Sequence, residues 1–307
     1  MNLADIKKGS PVRLLIQGEP GTGKTGALVS LINAGYKIRM LDFDGNKEPI
    51  VNYADPAFHK NVDIVTLRDK LTLAPNGLIQ PVGIPMAFAN GVRLLDMWRY
   101  PDPAGAEVDA KGVHWSNLGK SAEWGLDTIV VLDSMTSMGD AAMFQARNMS
   151  GKTALNMSQP VWGLAIAQQH NFIKRLMDPN NPHHTIVISH VKIVGPKGEM
   201  NTDSVLQKEI KEKAAELIET KLRPSALGWA LPQDIAKEFP CALSFETQVL
   251  GKHVKRRIEF KAKAEITTKL PAASLAGLDD LTIRDGLLRI FKALGHTPPL
   301  SAPQTAS

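Results

Sequence analysis

The sequence predicts an α/β fold: a mostly parallel sheet with helices on both faces and an antiparallel strand pair at its C-terminal end. Three observations predict it. Short apolar runs at residues 12–17, 37–42, 128–132 and 185–189 read as buried strands. Helical patterns separate them, and parallel strands need such crossovers. The first run also leads into a glycine-rich loop and then a helix, the order in which these sheets bind phosphate.

That loop is Gly18-Glu19-Pro20-Gly21-Thr22-Gly23-Lys24-Thr25, which fits G-x-x-x-x-G-K-[ST] without a mismatch. Its glycines let backbone N–H groups turn inward around an anion, and the first turn of the helix at residues 26–32, beginning with Gly26, adds partial positive charge. The motif predicts a bound nucleoside triphosphate. Lys24 would reach its β- and γ-phosphates, and the Thr25 hydroxyl would ligate Mg²⁺.

The second strand ends in Phe43-Asp44-Gly45-Asn46, and a weaker third covers residues 62–67. Phe88, Val92, Leu95 and Trp98 predict a helix over 83–100. Pro101, Pro103, Gly105 and Gly112 predict a loop over 100–115, and a short helix is expected at 116–124. The clearest strand, 128–132, closes on Asp133-Ser134. Helices follow at 141–149 and 160–177, the second opened by Pro160 and stopped by Asp178-Pro179. The strand at 185–189 ends at His190, while His183 and His184 are expected in an exposed turn. A turn at 195–199 and a charged helix at 204–221 come next. Strands at 242–247 and 254–262 pair around Gly251, a helix lies near 283–294, and the tail from 298 reads as disordered.

Composition bounds the rest. With 307 residues, 43% hydrophobic and 22% charged, the chain can bury a substantial core. Its apolar runs fall far short of the ~20 residues that span a bilayer, and residues 1–8 lack the apolar centre of a signal peptide. Cys241 is the sole cysteine, which excludes an internal disulfide, fits a cytoplasmic setting and reads as a small core residue. The net charge of +5 suits a nucleic-acid partner without requiring one.

Nucleotide chemistry needs acids beside the phosphates. Asp133, ending an apolar strand, is placed to hold Mg²⁺. Asp42 and Asp44 flank Phe43 at the strand edge where ligands bind, and alternation puts both on one face. Asp44 is the candidate for orienting the attacking water, and either acid could instead cap the turn at Gly45-Asn46. His190, at the same edge, is a candidate contact for the γ-phosphate or simply a satisfied histidine at a strand end.

The order of these pieces resembles the core of RecA-like recombinases, most nearly the short phage and prophage ATPases that act as single-strand annealing recombinases. The likeness rests on residues 18–25, 40–44, 129–134 and 186–190 and covers roughly 12–264. It implies an ATPase using ATP and Mg²⁺ in the host cytoplasm, with single-stranded DNA, further copies of the chain and a single-strand-binding protein as partners. It implies Asp44 as catalytic base, where the family carries glutamate, and His190 as γ-phosphate sensor, where the family carries glutamine. The implied ATPase domain covers 1–270, with the DNA path lined by 191–240, and a short helical extension and tail cover 271–307. Lys192, Lys197, Lys255, Arg256 and Arg257 are the implied DNA contacts. Lys261 and Lys263 are the implied contacts to a neighbour's nucleotide. The basic run 252–263 also fits a solvated hairpin edge guarded by lysines. Other classes compete with this one: an AAA-type remodelling ATPase or helicase loader, disfavoured because Ser134 stands where a glutamate is usual; a small-molecule kinase, disfavoured because no lid with clustered arginines is evident; and a slow nucleotide-regulated binding protein, which stays open.

Overall fold

In the computed structural model, β1 (Arg13–Gly18) leads through the glycine-rich loop into α1 (Lys24–Ala27) and α2 (Val29–Ile32). The structure describes residues 10–74, 77, 79–151, 158–194, 221–227, 231, 235–250, 253–259, 278 and 281–299. β2 (Lys37–Asp42) is followed by α3 (Glu48–Tyr53) and β3 (Val62–Thr66). A small pair, β4 (Leu71–Leu73) and β5 (Ile79–Pro81), precedes α4 (Ala87–Asp96). Next come β6 (Met97–Pro101), β7 (Glu107–Val108) and β8 (His114–Lys120). β9 (Thr128–Asp133) runs into α5 (Met135–Met149), α6 (Gln159–Leu176) and β10 (His184–Ser189). β11 (Val191–Val194) pairs antiparallel with β12 (Lys221–Pro224). β13 (Cys241–Leu250), β14 (His253–Glu259) and α7 (Gly286–Ala293) complete the described chain.

The main sheet has seven strands in the order β14-β13-β1-β10-β9-β2-β3, all parallel except the β13–β14 pair. The loop strand β1 and the Asp133 strand β9 are therefore separated by one strand, β10. The central strands are apolar on both faces, as a doubly covered parallel sheet requires. Alternation sends Leu14, Ile16, Ile38, Met40, Ile129 and Val131 into one core with α1, α2 and α7. Leu15, Leu41, Val130, Leu132 and Val187 pack on the other face with α4, α5 and α6. Because the strands are parallel, Gly18, Asp42, Asp133 and Ser189 all finish at one edge, and the loops there build the site.

Several expectations change. The helix expected over 83–100 stops at Asp96, and Trp98, with no exposed surface, lies in β6. The expected loop and short helix over 100–124 are largely a second sheet, β6-β8-β7, followed by a 3-10 turn at Ser121–Glu123. β8 is mostly solvated on both faces, so it carries no apolar alternation from which a strand could be read. α5 begins at Met135, six residues ahead of the expected start, because Ser134 caps it by accepting a hydrogen bond from Ser137 N at 3.3 Å. His183 and His184 are 2% and 0% exposed rather than set in an exposed turn. His184 Nδ1 accepts from Val12 N at 2.9 Å, tying the start of β10 to the residue before β1. Cys241 is buried in the core, and burial pushes its thiol up to about 12. The turn at 195–199 and residues 204–220 of the charged helix lie outside the described residues, as do 260–262 of the last strand and the tail from 300. Among the described residues no helix is long and apolar enough to cross a membrane.

Candidate nucleotide site

The glycine-rich loop is shaped by its neighbours. Gly18 lies against β13, in register with Phe245, and a Cβ there would fall 2.6 Å from the Phe245 carbonyl oxygen. Gly21 and Gly23 hold positive φ angles of 78° and 89°, which favour glycine. Thr22 Oγ1 donates to Glu19 O at 2.8 Å, and Glu19 and Pro20 are exposed at the loop's crest. Lys24 is buried, and its Nζ donates to Gly18 O at 2.9 Å and Glu19 O at 2.8 Å. Burial lowers its ammonium to about 8 despite the nearby acids Asp133, Asp44 and Glu19. A cation so placed gains from an arriving anion.

Thr25 Oγ1 donates to Asp133 Oδ2 at 2.7 Å, so the two expected metal ligands already touch. Asp133 is 2% exposed, and burial pushes its carboxyl up to about 7, with Asp44 and Asp42 adding to the rise. These are hard oxygen donors and fit Mg²⁺. Lys24, Thr25, Gly26, Asp44, Asp133 and His190 line one cavity of about 880 Å³.

The two acids after β2 have different surroundings. The chain bends at Phe43 and Asp44, whose N–H groups both donate to Asp133 O, at 2.6 and 3.2 Å, so strand alternation ends at Asp42. Asp42 is wholly buried. Its Oδ1 accepts from Gly45 N at 2.7 Å and Asn46 N at 3.3 Å, and its Oδ2 accepts from Thr66 Oγ1 at 3.1 Å. Asp42 thus caps the turn, and the two acids do not share the face that alternation predicts. Asp44 reaches the cavity instead. Its Oδ1 accepts from Ser134 Oγ at 2.8 Å and from Ser137 Oγ, while His190 Nε2 stands 3.4 Å from its Oδ2. Burial alone would raise the Asp44 carboxyl, but the hydrogen bonds from His190, Ser137 and Ser134 outweigh it and hold the group below its ordinary value. Asp44 stays ionised at neutral pH.

His190 also joins the cavity to β11 and β12. Its N–H donates to Thr136 Oγ1 at 3.1 Å, and its carbonyl accepts from Ser225 N at 2.7 Å. Lys192 lies in β11 opposite Arg223, and Lys255 and Arg257 lie in β14 opposite Gln248 and Glu246. Arg256, by contrast, faces the loop: its Nε donates to Gly21 O at 3.1 Å. Lys197, Lys261 and Lys263 lie outside the described residues.

Sequence reading missed Ser137, one helical turn past Ser134, whose hydroxyl meets Asp44 only because α5 starts early. It also missed Asn46, Pro49 and Tyr53, which line the cavity from α3 and the turn before it, and Ile283 and Arg284 from the chain ahead of α7. For these no local signal exists, since the contact depends on elements distant in sequence.

Comparison with known proteins adds three findings. No curated protein matches the chain. The solved structure of the flagellar accessory protein FlaH from Methanocaldococcus jannaschii aligns over 88% of this chain and 96% of that one, at 10% identity and a TM-score of 0.31. A model of the family described as AAA domain matches residues 10–222, a span that holds the glycine-rich loop, Asp44, Asp133 and His190, and the chain belongs to that family of P-loop ATPase domains.

Proposed function

We propose that the protein binds ATP with Mg²⁺, hydrolyses it, and acts as an oligomer on single-stranded DNA in recombination or strand annealing. The observation that carries the ATPase reading is the convergence of Lys24, Thr25, Asp133, Asp44 and His190 on one cavity. Mg²⁺, held by Thr25 and Asp133, would neutralise phosphate charge. Lys24 binds the β- and γ-phosphates. Ser134 and Ser137 occupy Oδ1 of Asp44 and fix its orientation, and Oδ2, faced by His190 Nε2 at 3.4 Å, takes the proton of the attacking water on its second lone pair. A carboxylate held below its ordinary value is a weak base, in keeping with slow hydrolysis. His190 contacts the γ-phosphate and couples its loss, through Ser225 and Thr136, to the strands that follow.

The DNA reading is supported by the motif order and by the net charge of +5. The AAA domain match also favours a second reading, an AAA-type remodelling ATPase or loader. Ser134 weighs against it, because the residue beside Asp133 is a hydroxyl committed to Asp44 rather than a glutamate. The discriminating experiment is anisotropy of a labelled oligonucleotide across a salt series, with and without a non-hydrolysable ATP analogue. Binding should tighten with the analogue, and log affinity should fall with log salt at a slope of about −0.7 per phosphate contacted. Absence of binding at low salt in both nucleotide states would remove the DNA reading.

A further inference from the structure

One wall of the cavity comes from a part of the chain that carries no phosphate motif. β14 pairs with β13, and beyond it Ile258 N donates to Leu281 O at 2.9 Å while Arg257 bridges to Thr282. Ile258, Leu281, Leu287, Ile290 and Phe291 share the core of α1 and α2, so this C-terminal unit is packed directly onto the P-loop helix. Its polar side chains then meet the loop. Arg256 donates to Gly21 O, and a Cβ on Gly23 would lie 3.0 Å from Ile283 Cδ1 and 3.1 Å from Arg256 Cδ. Arg256, Ile283 and Arg284 all line the cavity.

The charges decide what this wall suits. The cavity's acids, Asp44 and Asp133, repel a polyphosphate, and Lys24 is the P-loop's own lysine against them. Arg256 and Arg284 add two cations to the cavity lining, with Arg256 against the loop. Guanidinium groups present a planar fork that matches phosphate oxygens in pairs. Both arginines are exposed, and the bond from Arg256 to a neutral carbonyl is readily exchanged for one to an anionic oxygen.

We infer that Arg256 and Arg284 bind the phosphates of the nucleotide held by the P-loop of the same chain. The unit formed by β14 and α7 is then a clamp whose grip on the loop depends on the nucleotide. The inference rests on the nucleotide-binding reading, and it moves Arg256 from the DNA path implied by resemblance to the phosphate site.

The test uses the full chain and the variants Arg256→Ala, Arg284→Ala, the double variant and Arg256→Lys. Each is titrated with a non-hydrolysable ATP analogue plus Mg²⁺, and with adenosine. Each alanine variant should weaken the analogue by roughly 10- to 100-fold, the range for a hydrogen bond to a charged group. Adenosine binding should be unchanged, and Arg256→Lys should recover part of the loss. The analogue should also slow amide exchange in residues 253–259 and 286–293 of the wild type but not of the double variant. Wild-type affinity for the analogue in the double variant, equal losses for analogue and adenosine, or a loss confined to single-stranded DNA would each overturn the clamp. A wild-type chain that binds no nucleotide would overturn the underlying reading, and the clamp with it.

Discussion

Asp42 and Asp44, with only Phe43 between them, do different work because the backbone bends there. Asp42 spends both carboxylate oxygens on Gly45, Asn46 and Thr66, whereas Asp44 swings past the bend to the cavity. Asp44→Asn should therefore fold and bind nucleotide but hydrolyse ATP roughly 10²–10⁴-fold more slowly, as measured by phosphate release. Asp42→Asn should instead lower stability by about 1–3 kcal/mol in denaturant titration, since an amide nitrogen would face donors that now have an acceptor. The reverse pattern would assign the base to Asp42. His184 carries a second prediction: burial lowers its imidazole to about 3, the neighbouring charges of His296, His183 and Arg13 add to the fall, and a hydrogen bond with the Leu126 backbone opposes it. In the unfolded chain a histidine takes up its proton below about 6.5. The folded state binds it only near 3, so the stability His184 contributes is complete above about 6.5 and is lost as pH falls toward 3. His183 and His296 are shifted downward too and act with the same sign. Unfolding free energies should fall between pH of about 7 and about 5, and His184→Gln should flatten that fall. An unchanged slope in the variant would contradict the assignment.

At the scale of elements, legibility followed burial. β1, β2, β9 and β10 were readable because each is apolar on both faces and closes on a polar or glycine residue at the ligand edge. The candidate site was readable to the same extent, because Lys24, Thr25 and Asp133 stand at fixed offsets from those strands. β6 to β8 were not, since an exposed three-stranded sheet held by its own cross-strand pairs leaves no apolar period in the sequence. The buried histidines 183 and 184 were misjudged for a related reason: their polarity argued for water, whereas tertiary contacts with Val12, Trp124 and Phe291 hold them inside. The α3 side of the cavity and the Arg256 wall depend on contacts that form only after folding. The first glycine of the motif serves the sheet as much as the ligand, because β13 passes too close for a side chain. Gly18→Ala should displace β13 or the loop, lower stability by about 1–3 kcal/mol and weaken nucleotide binding together. Wild-type stability and affinity in Gly18→Ala would show that the strand can shift freely.

For the whole molecule, the sheet order puts three chemical groups at one edge: the P-loop at the end of β1, Asp133 at the end of β9, and His190 just past β10. β10 lies between the other two strands, so the residue following it reaches Asp44 on one side and Ser225 on the other. A nucleotide bound at that edge would thereby be joined to β11 and β12, the strands on either side of residues 195–220 in sequence. Arg256, Ile283 and Arg284 of the C-terminal unit line the same cavity. The most direct test is the rate of phosphate release from ATP and Mg²⁺ by the full chain, with and without a single-stranded oligonucleotide, beside Lys24→Ala. Hydrolysis should be slow, rise when the oligonucleotide is added, and be lost in a folded Lys24→Ala variant. Hydrolysis indifferent to the oligonucleotide would contradict the action on DNA, and a Lys24→Ala variant as active as the wild type would contradict the site itself.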